Sequence, residues 1–160
     1  MVSSFSDDDL FATLKQISEI EPLLYLSGFQ PTRDLEQLRA KNIKAVLTVA
    51  DQLEPAFPDQ FDYKIVKISD DATQDILQHF EDCHAFIDRH ASRGSNVLVH
   101  CAAGVSRSAA VVASYLMKKH GISRDEALLR TRKQRPIIMP NEGFMDQLSR
   151  YEEKLKGLAS

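Results

Sequence analysis

The sequence predicts a single α/β domain, a mostly parallel central sheet flanked by helices on both faces. Three observations predict it. Short aliphatic or β-branched runs at 23–28, 43–49, 63–68 and 97–100 alternate with stretches of helical periodicity, as the crossovers of a parallel sheet require. The chain has 160 residues, enough for one domain with a full core. No internal repeat or low-complexity linker divides it.

In chain order, residues 1–6 are small and polar and are expected to be loose. Ser6-Asp7-Asp8-Asp9 sets a cap and three acids ahead of Leu10, Phe11, Leu14 and Ile17, predicting an amphipathic helix over about 7–17. The acid run reads as a solvated first turn. Leu23 to Ser27 is a short strand ended by Gly28, and Pro31-Thr32 caps a helix carrying Leu35 and Leu38. Ile43 to Val49 is a buried strand, and Asp51 to Phe61, with Pro55 and Pro58, is a loop. Tyr63 to Ile68 alternates as a strand does, and the loop Asp70 to Gln74 follows it. A helix is expected over 75–91 through Ile76, Phe80, Cys83, Phe86 and Ile87. Arg93-Gly94 ends it before the strand at 97–100. A helix over Arg107 to His120 closes at Gly121, and Ser123-x-x-Glu126 is a capping box opening a helix that ends before Pro136. Pro140-Asn141 starts the last helix, with Phe144, Leu148, Tyr151 and Leu155 on one face.

Composition excludes several classes. No run of eighteen apolar residues is present, so no transmembrane helix is expected, and the N-terminus carries neither an apolar signal core nor a glycine for myristoylation. A net charge of −3 argues against binding nucleic acid through bulk charge. Two cysteines, Cys83 and Cys101, make no disulfide framework. Five histidines show no metal-ligand spacing, so neither a metal nor another cofactor is expected.

The chemistry concentrates in Val97 to Ser108, where a strand runs into His100-Cys101, a tight loop and a helix that opens on Arg107-Ser108. A loop wrapping before a helix N-terminus turns backbone N–H groups inward, and the helix dipole adds positive potential, which together suit a tetrahedral oxyanion. Arg107 can hold two phosphate oxygens with its planar fork. The same field stabilises a thiolate, since a helix N-terminus beside cations brings a cysteine from about 8.5 to roughly 3.5–7.5. Cys101 is then a nucleophile beneath a phosphoryl group bound by Ala102, Ala103, Gly104, Val105, Ser106 and Arg107. Gly104 allows the turn. Ser106 reads as loop-shaping, and the Ser108 hydroxyl can reach the sulfur. A nucleophilic thiolate needs a reducing compartment, so cytoplasm, and also nucleus, is the expected location.

Phosphomonoester cleavage also needs a proton for the leaving oxygen and later a base for water, and one carboxyl can serve both. The loop after the strand at 63–68 lies at the carboxyl end of the sheet, where ligands collect. Asp70, Asp71 and Asp75 are the candidates there, and periodicity does not choose among them. Asp75 also reads as an N-cap.

His-Cys-x5-Arg-Ser, with Ala-Ala-Gly-Val-Ser inside it, resembles the signature of dual-specificity protein phosphatases, small members of the cysteine-dependent protein tyrosine phosphatase superfamily. The resemblance spans about Leu23 to Leu155, from Leu24-Tyr25-Leu26 to Pro140-Asn141-x-Gly143-Phe144-x-x-Gln147-Leu148. It implies a protein tyrosine phosphatase-like fold, with 1–22 as an N-terminal segment and 23–157 as the catalytic domain. The resemblance favours Asp70 as the general acid. It implies that His100 tunes the thiolate through backbone hydrogen bonds and that Ser108 stabilises the leaving thiolate. Asn141 is expected to cap its helix and steady the signature loop.

The expected substrate is a phosphorylated protein, bearing phosphotyrosine and phosphoserine or phosphothreonine, and a MAP kinase is one such partner in the family. Arg130, Arg132, Lys133 and Arg135 come closest to a kinase-docking cluster, and a solvated helix face explains them equally well. The rival readings are a phosphoinositide, inositol phosphate or RNA 5′-phosphate substrate, which the neutral Ala102, Ala103 and Val105 disfavour, and a catalytically dead phospho-binding module, which the presence of Cys101, Arg107 and the acids disfavours. Cys83 reads as an apolar filler or as a redox partner of Cys101.

Overall fold

The computed structural model describes residues 6–159, so the expectation for residues 1–5 lies outside the described residues. The four expected runs form strands, and a fifth precedes them: β1 (Ser18–Glu21), β2 (Leu24–Ser27), β3 (Ile43–Val49), β4 (Asp62–Val66) and β5 (Asn96–His100). Their order across the sheet is β1-β2-β5-β3-β4, with β1 antiparallel to β2 and the other pairs parallel. The sheet is therefore mixed but mostly parallel. Val97, Leu98 and Val99 are fully buried because β5 is central and covered on both faces.

The helices are α1 (Asp7–Leu14), α2 (Leu35–Ala40), α3 (Phe80–Ala91), α4 (Arg107–His120), α5 (Arg124–Gln134) and α6 (Glu142–Ala159). Coverage is uneven. Leu26, Leu47, Val97 and Val99 belong to the larger core, with side chains of α3, α4, α5 and α6. Tyr25, Val46 and Leu98 meet Leu38 of α2 on the other face, beside Phe57, Phe61 and Tyr63. Ala109 to Ala113 are wholly buried, so α4 runs through the interior and its start is held firmly beneath β5.

Several expectations at element ends are corrected. The first helix stops at Leu14, and 18–21 form the edge strand β1. Its burial alternates, but four residues with two glutamates give too short a pattern to read, and those charges suit an exposed edge. No residue of α1 is buried: Leu10 and Phe11 are 40% and 62% exposed, so the apolar stripe is not packed inward. Pro31 and Thr32 form a 3-10 turn, and Asp34 instead caps α2 by accepting from the Gln37 N–H. The helix expected from 75 begins as a 3-10 turn at Leu77–His79, continuing as α3. Gly121 closes α4 in the left-handed conformation, and Ser123 caps α5, as expected. Among the described residues no helix is long and apolar enough to cross a membrane.

Candidate active site

β5 ends at His100, and the chain then turns through 101–106 into α4. Four successive carbonyls of this loop are taken from outside. Ala102 O accepts from the Phe29 N–H at 2.9 Å and Val105 O from the Met139 N–H at 2.8 Å. Ala103 O and Gly104 O accept from Arg135 at 3.1 and 2.9 Å. Carbonyls drawn outward leave the intervening N–H groups facing inward, where the positive end of the α4 dipole adds to them. Ser106 makes no side-chain cap to the first turn, so that turn's N–H groups also remain available. Gly104 has φ +68°, and a Cβ there would stand 2.5 Å from the Ser27 backbone carbon. Both the backbone conformation and the close approach of β2 exclude a side chain.

Cys101 is buried at the base of the loop, with Sγ 3.0 Å from the Ser108 hydroxyl oxygen. His100 points away from the sulfur. Its Nδ1 lies 3.2 Å from Cys101 O and its Nε2 2.7 Å from the Thr48 hydroxyl on β3. A carbonyl only accepts, so Nδ1 carries the proton and Nε2 accepts from Thr48. Burial holds this ring down to about 4. His100 is therefore neutral at pH 7, and its contact with the nucleophile's residue is the hydrogen bond to the Cys101 backbone carbonyl.

His84 on α3 is buried against Ser114, and burial likewise lowers it to about 4. Both rings titrate near about 6.5 when exposed. Their folded values are depressed, so the stability they confer is complete above that pH and is lost as pH falls from about 6.5 towards 4. Each should cost about 2 kcal/mol at pH 5. Thermal midpoints should fall steeply across this window; a flat profile would show that the rings protonate without strain.

Arg107 opens α4 and is nearly buried. One Nη1 donates to Ile68 O at 3.0 Å and to Asp51 Oδ1 at 3.3 Å. The Ser69 hydroxyl donates to the other Asp51 oxygen at 2.7 Å, and this bond, with Asp51's own backbone N–H and the Arg107 charge, holds that carboxyl below its ordinary range. Arg107 Nε is buried and has no partner among the described residues. An orphaned buried donor of this kind suits an oxyanion.

The three candidate acids separate. Asp71 Oδ1 accepts from the N–H and hydroxyl of Thr73, both at 2.7 Å, which lowers its carboxyl and makes it a turn residue. Asp75, just ahead of the 3-10 turn, accepts from the Gln78 N–H within it at 3.2 Å. Asp70 is exposed, and its Oδ1 accepts from the Asn141 side-chain amide at 3.0 Å. Asn141 also donates its N–H to Ser106 Oγ and caps α6 by accepting from the Phe144 N–H. One residue thus joins the signature loop through its backbone N–H and the acid loop and α6 through its side-chain amide. Gly143 completes the seam, because a Cβ there would lie 1.9 Å from Ala72 O. Gln147 then binds the backbone of Gln74, Ile76 and Leu77.

The sequence reading missed Asp51, Thr48 and the role of Arg135. Asp51 and Thr48 lie at the carboxyl end of β3, a position that was itself a signal. The sequence groups Arg135 with a basic, solvated helix face, but the structure buries it fully, at 0% exposure. The residue before a proline is pushed out of helical geometry, and Arg135, preceding Pro136, has φ −140° and ψ 86°. Of the remaining cluster, Arg130 pairs with Glu126. Cys83 lies in the main core, and burial pushes its thiol up to about 12, which leaves little thiolate for exchange with Cys101. Among the described residues no group of three or more His, Cys, Asp or Glu side chains is arranged to hold a metal ion.

Comparison with known proteins matches this arrangement. The family "Dual specificity phosphatase, catalytic domain" matches residues 24–154. Dual specificity protein phosphatase 1B of Arabidopsis thaliana is 39% identical over 91% of this chain and 87% of its own length. Dual specificity protein phosphatase 19 of Mus musculus is 40% identical over 86% of this chain and 62% of its own. The crystal structure of human DUSP28 superposes with a TM-score of 0.84 at 31% identity, covering 88% of this chain and 95% of that one. The chain belongs to the dual specificity phosphatase catalytic-domain family and is a cysteine-dependent phosphatase.

Proposed function

We propose that this chain hydrolyses phosphotyrosine and phosphoserine or phosphothreonine in proteins, through a phosphocysteine intermediate on Cys101. One observation carries the reading: every carbonyl from Ala102 to Val105 is drawn outward around the buried Cys101 sulfur. The inward N–H groups and the free donors of Arg107 bind the three non-bridging phosphate oxygens and hold phosphorus in line with Sγ. The thiolate forms the S–P bond as the ester P–O bond breaks, and Asp70 protonates the departing oxygen. Asp70 then takes a proton from water as water attacks phosphorus. The S–P bond breaks, and Ser108, 3.0 Å from the sulfur, donates to the returning thiolate. His100 acts through the backbone of Cys101 and touches no reacting atom.

A phosphorylated MAP kinase is the partner that the family resemblance suggests. The need for reduced Cys101 assigns the activity to cytoplasm or nucleus. The neutral side chains of Ala102, Ala103 and Val105 favour protein over polyanionic substrates.

The test is phosphate release under reducing conditions from a peptide phosphorylated on Thr and Tyr, a phosphoinositide set and a 5′-triphosphate RNA, with Cys101→Ser as blank. Release from both peptide positions, well above the others, is expected. Preference for lipid or RNA would overturn the substrate class while keeping the mechanism.

A further inference from the structure

Arg135 is a fully buried cation with no carboxylate beside it among the described residues. Its hydrogen bonds all go to neutral oxygens. Nε donates to Gly104 O at 2.9 Å and Nη2 to Ala103 O at 3.1 Å. On the other side Nη1 faces Thr13 O, Gln16 O and Ser18 Oγ at 3.0–3.1 Å. A buried positive charge without a counter-charge is costly. The site beneath which it lies gains negative charge whenever it works, first as thiolate and then as bound phosphate.

We infer that Arg135 is a positioning residue for the reaction, clamping the Ala103 and Gly104 carbonyls outward so that the nest forms over Cys101, with its charge compensated by the nucleophile and the bound phosphate. The inference rests on the reading of Cys101 as nucleophile. Only a guanidinium fits the contact, because its rigid fork reaches two consecutive carbonyls on one edge and the N-terminal segment on the other. Burial lowers Arg135 to about 10, and the charge of Cys101 opposes that shift. The other charged or titratable groups around the nest are His100 on β5, Arg107 on α4 with Asp51 after β3, and Asp70 on the acid loop beside Asn141. His100 is neutral, and Arg107 already has Asp51. Of the cations around the nest, Arg135 is the one with no acid beside it among the described residues.

The test compares Arg135→Lys with Ser18→Ala in the full chain. Alkylation of Cys101 by iodoacetamide against pH reads the thiolate without turnover, so failure of the phosphatase reading and failure of this inference are distinguishable. Arg135→Lys should raise the pH of half-maximal alkylation by about one unit, through the carbonyls it releases and the charge it displaces. It should lower kcat/KM by about 100-fold per titrated active site, as a misplaced reacting group does. Ser18→Ala removes only an acceptor on the scaffold side, so it should lower the thermal midpoint and leave the alkylation profile in place. Arg135→Lys with an unmoved profile and near-normal kcat/KM would overturn the inference, as would an equal shift in Ser18→Ala. The unaltered protein supplies a reading that needs no variant. The Arg135 Nε–H resonance should shift through the same pH range as Cys101 alkylation, and a resonance that stays fixed there would also overturn it.

Discussion

Cys101→Ser is expected to abolish turnover, a loss on the order of a million-fold, as when the nucleophile is removed from a catalytic unit. A serine hydroxyl fits the space of the thiol but is not ionised there, and the neighbouring Ser108 hydroxyl is likewise a neutral alcohol. The carbonyls of Ala102 to Val105 are held by Phe29, Arg135 and Met139, none of which the substitution touches. The variant should therefore fold, keep its thermal midpoint and still bind inorganic phosphate. Equilibrium binding of phosphate and single-turnover assays check both halves. Retained turnover would remove Cys101 from the mechanism, and lost phosphate binding would show that the sulfur shapes the nest itself.

Asp70→Ala carries the second large effect, about 100- to 10,000-fold in kcat, the range for loss of a general acid. The loss should be greatest for alkyl and phenyl esters with poor leaving groups and should shrink for an activated aryl phosphate, whose leaving oxygen needs no proton. The basic limb of the pH profile should disappear with it. Asp71→Ala should behave differently. It removes the acceptor for the Thr73 N–H and hydroxyl and should loosen that exposed turn, leaving the pH profile intact. If Asp71→Ala alone flattened the basic limb, the assignment of these two acids would be reversed.

The central strands and the helix at Arg107 were legible because each is long or strongly patterned. Val97 to Val99 form an unbroken apolar run only because β5 is buried on both faces, and Gly121 marks the end of α4 where a left-handed residue is needed. The edge strand Ser18–Glu21 was not legible, since pairing with β2 decides its conformation more than its own composition does. In α1 the periodicity was present, yet the helix buries nothing. Periodicity states which side of a helix is apolar, not that a partner covers it.

The site divides along the same line. Cys101, Gly104, Arg107 and Ser108 fall within one short stretch, so their register between strand and helix can be read directly. Asp51, Thr48, Asn141 and Arg135 reach the loop through tertiary contacts that span between 31 and 56 positions of sequence. The sequence marks Asn141 as a cap and a steadying residue. Its amide bond to Asp70 becomes visible only when α6 is packed against the acid loop at Gly143. Arg135 sits among other basic residues in the sequence, and only its place before Pro136 sets it apart.

The most direct measurement of the central claim is acid quench of the Ser108→Ala variant during turnover of a phosphotyrosyl peptide, followed by peptide mapping by mass spectrometry. Breakdown of the intermediate should be slowed in this variant because the returning thiolate loses its donor at 3.0 Å. The account predicts a phosphoryl group on the Cys101 peptide, formed within one turnover and discharged by longer incubation. Turnover with no phosphoryl group on Cys101, or with one on His100 or another side chain, would contradict it.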